Sequence, residues 1–164
     1  MNSKFINYIE QLRIKSGFKA QIIQMFANSN RCFTELWGEN KDAFISNPIY
    51  KQSGLVCEVL PIKKGDYIFI CKNKDIFNYV KDNFDSMSDI EKGFMYGYPY
   101  TAIQAFMGFI ERSEREKTVP MTFIGPGFYS KEYNIEEREY YDKIWKEIKA
   151  ISPSITKQCE EEYL

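Results

Sequence analysis

The sequence predicts an α+β fold: a small, mainly antiparallel sheet built on a hairpin at about residues 55–72, plus one further strand at about 118–124, packed by several helices. Two observations carry the hairpin. Residues 55–62, LVCEVLPI, and 66–72, DYIFICK, are short runs rich in branched and aromatic residues, and they flank Lys63-Lys64-Gly65, a basic turn whose glycine can take positive φ. A third observation concerns the rest of the chain. Apolar residues recur at helical spacing on both sides of the hairpin, giving the order α-α-β-β-α-α-α-β-α-α. A doubly wound parallel sheet would need regular β–α alternation. With 164 residues and 44% hydrophobic content, residues 1–164 read as a single domain with enough apolar material for a core.

Each element has a local reason. Phe5, Ile9 and Leu12, beside Ile6 and Tyr8, give residues 3–15 an apolar face, and Gly17 closes that helix. KAQIIQMFANSN, 19–30, is a second helical pattern stopped by its Asn/Ser cluster. Residues 31–50 read as irregular chain or short helix, closed by Pro48. Both hairpin strands are apolar at nearly every position, so both faces of the sheet are expected to be covered. Pro61 lacks a ladder donor and marks an edge or a strand end. KDIFNYVKDNF, 74–84, is a short helix. Ser88-Asp89-Ile90-Glu91 fits a capping box for the next one. Gly97 suits the left-handed residue that ends it, and Pro99 the first turn of a helix running to about Arg112. Ala102, Ile103, Phe106, Phe109 and Ile110 form the expected buried stripe of that helix. TVPMTFIG, 118–125, reads as the third strand and Gly125-Pro126-Gly127 as a loop. Asn134-Ile135-Glu136-Glu137 caps a helix to about residue 150, and Ser152-Pro153 opens a last short one. The closing CEEEYL reads as a solvated end.

The densest stretch is EKGFMYGYPYTAIQAFMGF, residues 91–109. One reading is a tight helix–helix corner filled by rings. The other uses the helix start at Pro99, where unpaired amides and the helix dipole meet the hydroxyls of Tyr96, Tyr98, Tyr100 and Thr101, a setting for phosphate or carboxylate. These four are the candidate ligand-binding residues. Residues 93–106, Gly-x-x-x-Gly-Tyr-Pro-x-x-Ala-Ile-x-Ala-Phe, resemble a segment of small uncharacterised prokaryotic proteins in which a Gly-Tyr-Pro turn precedes an Ala-Phe helix. That group often carries cysteines after the proline. Here the residues are Tyr100-Thr101-Ala102, so a thiol or metal role does not carry over. The group has no established activity, and the resemblance implies a shared corner rather than a reaction.

Composition narrows the chemistry. The sequence contains no histidine, which removes Ser–His and Cys–His nucleophiles, His acid–base catalysis and His metal ligands. Cys32, Cys57, Cys71 and Cys159 form no C-x-x-C pair, so neither zinc nor a disulfide framework is expected. No metal and no cofactor are expected. Cys57 and Cys71 sit on the two hairpin strands, where the register makes them either a redox pair or separate core thiols. Glu58, inside an apolar strand, is either a buried acid with a raised pKa or a solvent-facing partner of a lysine. Lys63-Lys64-Gly65-Asp66 is a soluble hairpin tip or a phosphate-touching turn. The first twenty residues, broken by charges, read as neither a signal peptide nor a membrane span, and a cytoplasmic setting follows.

The leading functional reading is a cytoplasmic binding or interaction module whose partner is a protein or a small anionic ligand. Its first alternative is an enzyme acting on a phosphorylated or carboxylated small molecule without His or metal. A second is a single-stranded nucleic-acid binder with exposed rings as stacking platforms. The balance of 22 basic and 23 acidic residues counts against nucleic acid.

Overall fold

The structure is a computed structural model that describes residues 2–62, 65–114 and 116–164. Helices α1 (Ser3–Gln11) and α2 (Ser16–Gln24) lead into strand β1 (Phe33–Trp37) and helix α3 (Gly38–Ile45). A 3-10 turn at Pro48–Gln52 precedes β2 (Val56–Ile62) and β3 (Gly65–Cys71). Helices α4 (Lys74–Asn83), α5 (Asp89–Met95), α6 (Tyr100–Phe106), α7 (Val119–Ile124), α8 (Asn134–Ile151) and α9 (Pro153–Tyr163) follow, with a second 3-10 turn at Phe84–Ser86 after α4. The sheet is antiparallel, in the order β1-β3-β2. The α+β reading and the hairpin hold. The turn residues Lys63 and Lys64 lie outside the described residues.

The third strand is not where the sequence placed it. Residues 119–124 are helix α7. Thr118 caps it, its hydroxyl accepting from the Met121 amide, and Pro120 sits in the first turn, where a missing N–H costs nothing. Pro120, Met121 and Ile124 are buried, at helical rather than strand spacing. The third strand is β1, inside the segment read as irregular. It is only five residues long, which left little alternation to see. Three helices also differ in extent. The first helix ends at Gln11, not 15, the second begins at Ser16 and ends at Gln24, and α6 stops at Phe106. Gly17 therefore lies inside α2 rather than ending α1. Of the stripe expected on α6, Ala102 and Ile103 are buried, while Phe106 and Phe109 are exposed.

The central strand β3 is covered on both faces, as expected, whereas the edge strand β2 leaves Glu58, Val59 and Pro61 exposed. On one face Leu36, Ile68 and Ile70 join the larger core, built with Phe5, Ile9, Ile22, Ile23, Ile144 and Ile148. On the other, Phe33, Phe69 and Cys71 pack with Phe77 and Val80 of α4. Burying each such side chain contributes roughly 1.5–3 kcal/mol. The register pairs Cys57 with Ile70 and Val56 with Cys71. A one-residue offset points the two thiols to opposite faces, so they form no pair. Burial raises both, to about 12, as expected of inert core thiols.

The chain ends are tied together. The buried Lys19 ammonium donates to the Glu10 carbonyl at 3.0 Å and to Gln158 Oε1 at 2.7 Å. Ser152 donates to Glu10 Oε1 at 2.5 Å, and Ser16 to the Glu162 carboxylate. The CEEEYL stretch is helical, as α9 runs to Tyr163; Cys159 is fully buried, while Glu161, Glu162 and Leu164 are exposed.

Candidate functional site

The corner between α5 and α6 is built by a glycine. The Gly97 amide donates to the Phe94 carbonyl at 3.0 Å and the Tyr98 amide to the Gly93 carbonyl at 3.0 Å, with Gly97 at φ 79°. This is the paired-bond helix ending that needs a left-handed residue. The corner docks on the start of β1: the Cys32 amide donates to the Met95 carbonyl at 2.7 Å, and the Tyr140 hydroxyl donates to the Gly97 carbonyl at 2.7 Å. Ser88 caps α5 as expected, accepting from the Glu91 amide at 3.2 Å. The Glu91 carboxylate does not reach back; it takes the Tyr79 hydroxyl.

This docking divides the four candidate residues. Tyr96 and Tyr98 turn inward, against β1. Tyr100 is 57% exposed and stacks on Phe94, rings 5.9 Å apart and 11° from parallel. Thr101 donates to the buried Glu137 carboxylate at 2.5 Å, which also accepts from the Ser130 amide and hydroxyl at 2.8 and 2.7 Å. The chain's own carboxylate therefore occupies the Thr101 hydroxyl. The four hydroxyls do not converge on one point.

Tyr96 and Tyr98 instead meet residues that sequence reasoning did not single out. They line a cavity of about 190 Å³ along β1, together with Phe18, Gln21, Arg31, Thr34, Glu35 and Trp37. In the sheet order β1 is an edge strand, so its outer edge is available to form a wall. Two polar anchors dominate. Arg31 is 1% exposed; its Nε donates to Gln24 Oε1 at 2.8 Å and its Nη1 to the Phe33 carbonyl at 3.3 Å. The guanidinium lies 5.4 Å from the centre of the Tyr96 ring. Glu35 Oε1 accepts the Tyr96 hydroxyl at 2.7 Å, while Oε2 is buried without a hydrogen-bond partner. Among the ion pairs of the described residues, none joins Arg31 to Glu35. Thr34 and Gln21 satisfy each other, the hydroxyl donating to Gln21 Oε1 at 2.8 Å. Phe18 and Trp37 meet edge to face at 5.4 Å on another wall.

Burial pushes the Glu35 carboxyl above its ordinary value of 4.5, against the pull of the Tyr96 hydrogen bond and the Arg31 charge. Burial likewise raises the Tyr96 and Tyr98 phenols, so both are neutral donors near pH 7. The sign of the linkage is fixed. Above pH 4.5 the folded state retains a proton that the unfolded state releases, so the Glu35 contribution to stability is full below 4.5 and falls as pH rises through the folded value. Glu35→Gln is therefore expected to remove a decline in stability that the parent shows above pH 4.5. Denaturant unfolding of both proteins from pH 4 to 8 checks this; a parent-minus-variant difference that is flat with pH would refute it.

Other sequence candidates fall away from this site. Glu58 is the solvent-facing partner of a lysine, 3.2 Å from Lys74. Pro126 of the Gly-Pro-Gly loop lines a separate, apolar groove of about 220 Å³ on the other side of Tyr96 and Tyr98. Among the described residues no cluster of three acidic or thiol groups is placed to hold a metal ion.

No protein-family model, curated protein or solved structure matches this chain. Its functional reading therefore rests on the geometry just described.

Proposed function

We propose that the protein is a cytoplasmic binding module, and that its ligand is a small molecule held in the cavity between β1, α2 and the α5–α6 corner. One observation carries this reading: Glu35 lines that cavity, and its Oε2 is buried without a hydrogen-bond partner. Leaving a buried acceptor unsatisfied costs about 1–3 kcal/mol, and more for a charged group. A ligand donating to it would recover that cost. Binding is favoured over catalysis because the wall has no histidine or cysteine and offers no activated nucleophile. Among the described residues no helix is long and apolar enough to cross a membrane.

The test is protein-observed amide NMR with a library of small polar fragments. Shifts are expected to cluster at residues 18–21, 31–37 and 96–98. Fragments that bind only elsewhere, or none that bind, would overturn the reading.

A further inference from the structure

We infer that the ligand of this cavity is an uncharged, flat molecule of about one ring, carrying an N–H or O–H donor beside an acceptor, as an amide, a urea or a pyrimidine-type heterocycle does. This rests on the cavity being the binding site. Charge selects the class first. The walls already hold one buried cation, Arg31, and one half-buried acid, Glu35, with no ion pair between them among the described residues. An added ammonium would face the guanidinium, and an added carboxylate or phosphate would face Glu35. In a partly desolvated setting either leaves a net charge without a partner, which is costly. Once pH has passed the raised folded-state titration of Glu35, a neutral guest leaves the two wall charges balanced.

Hydrogen bonding narrows the class further. Glu35 Oε2 needs a donor, because its sister oxygen already takes Tyr96. The Tyr98 hydroxyl, on a residue lining the same cavity, belongs to a phenol kept neutral by burial and able to donate. A guest presenting a donor and an acceptor on one edge would answer both. Shape supplies the last constraint. Phe18, Trp37 and Tyr96 present rings to a space of about 190 Å³, which suits a flat guest and excludes a long one.

Uracil, cytosine and benzamide serve as the neutral probes, and benzylamine and benzoate as the charged ones, each titrated by amide NMR against the parent and against Glu35→Gln. The expected result is that at least one neutral probe shifts residues 31–37 and 96–98 and binds at least about tenfold more tightly than both charged probes. Its affinity should fall about tenfold or more in Glu35→Gln, in keeping with loss of a hydrogen bond to a charged acceptor. Unchanged denaturation midpoints near pH 4 would confirm that the variant is folded. If a charged probe binds as well as the neutral ones, or if Glu35→Gln leaves neutral-probe affinity unchanged, the ligand class is overturned while the cavity stands. If no probe and no library fragment shifts the cavity residues, both readings fall.

Discussion

Gly97→Val is expected to destabilise the fold by about 3–5 kcal/mol, the sum of two separate effects. Left-handed backbone in a β-branched residue costs on the order of 1–3 kcal/mol. The second effect is contact: a Cβ built on Gly97 would lie 2.6 Å from the Arg31 amide nitrogen and 2.9 Å from the Asn30 carbonyl carbon. These are backbone atoms and cannot rotate aside, so the corner must lift from β1. Gly108 provides the control. It ends α6 with the same pair of bonds, at φ 80°, but nothing lies within 4 Å of its Cβ position. Gly108→Ala should cost only the backbone term, about 1 kcal/mol. Urea denaturation of Gly97→Ala beside Gly108→Ala separates strain from contact. Equal losses would mean that the corner does not press on Arg31.

Glu137→Ala should cost a similar amount, about 3–5 kcal/mol, through lost hydrogen bonds rather than strain. The side chain is 2% exposed and accepts from the Thr101 hydroxyl, the Ser130 hydroxyl and the Ser130 amide. Truncation leaves the fully buried Ser130 without its acceptor. Thr101→Val, which removes one donor and keeps the shape, should cost about 1 kcal/mol. Thermal or urea unfolding that ranked the threonine change equal to the glutamate change would show that the carboxylate is not the hub.

The sequence made the hairpin legible because Val, Ile and Phe occupy it on both faces, and its central strand β3 is buried on both. Gly97 was legible for a different reason: a glycine followed two residues later by proline leaves the backbone few conformations. Thr118-Val119-Pro120 was misread because its apolar, β-branched composition was weighed above its cap and first-turn proline, which are the stronger local constraints. The cavity was harder to foresee. Tyr96 and Tyr98 stood out by composition, but a residue's neighbours across sixty positions of chain are set by how α5–α6 docks, and nothing local records that. Glu35 did carry a faint signal, as an acid within the strand-like run CFTELW. Arg31 carried none, since a buried arginine is spelled like an exposed one.

The tie between the chain ends bears on how the molecule can be made. Ile22 and Ile23 of α2 share one core with Ile144, Ile148 and Ile155, and Lys19 waits for Gln158. On a ribosome the two opening helices emerge long before the residues that cover them. Until α8 and α9 follow, those isoleucines have no permanent cover, and contacts this far apart in sequence form slowly. Folding of the larger core is therefore expected to begin only after most of the chain has left the exit tunnel, with the N-terminal third meanwhile dependent on chaperones for solubility.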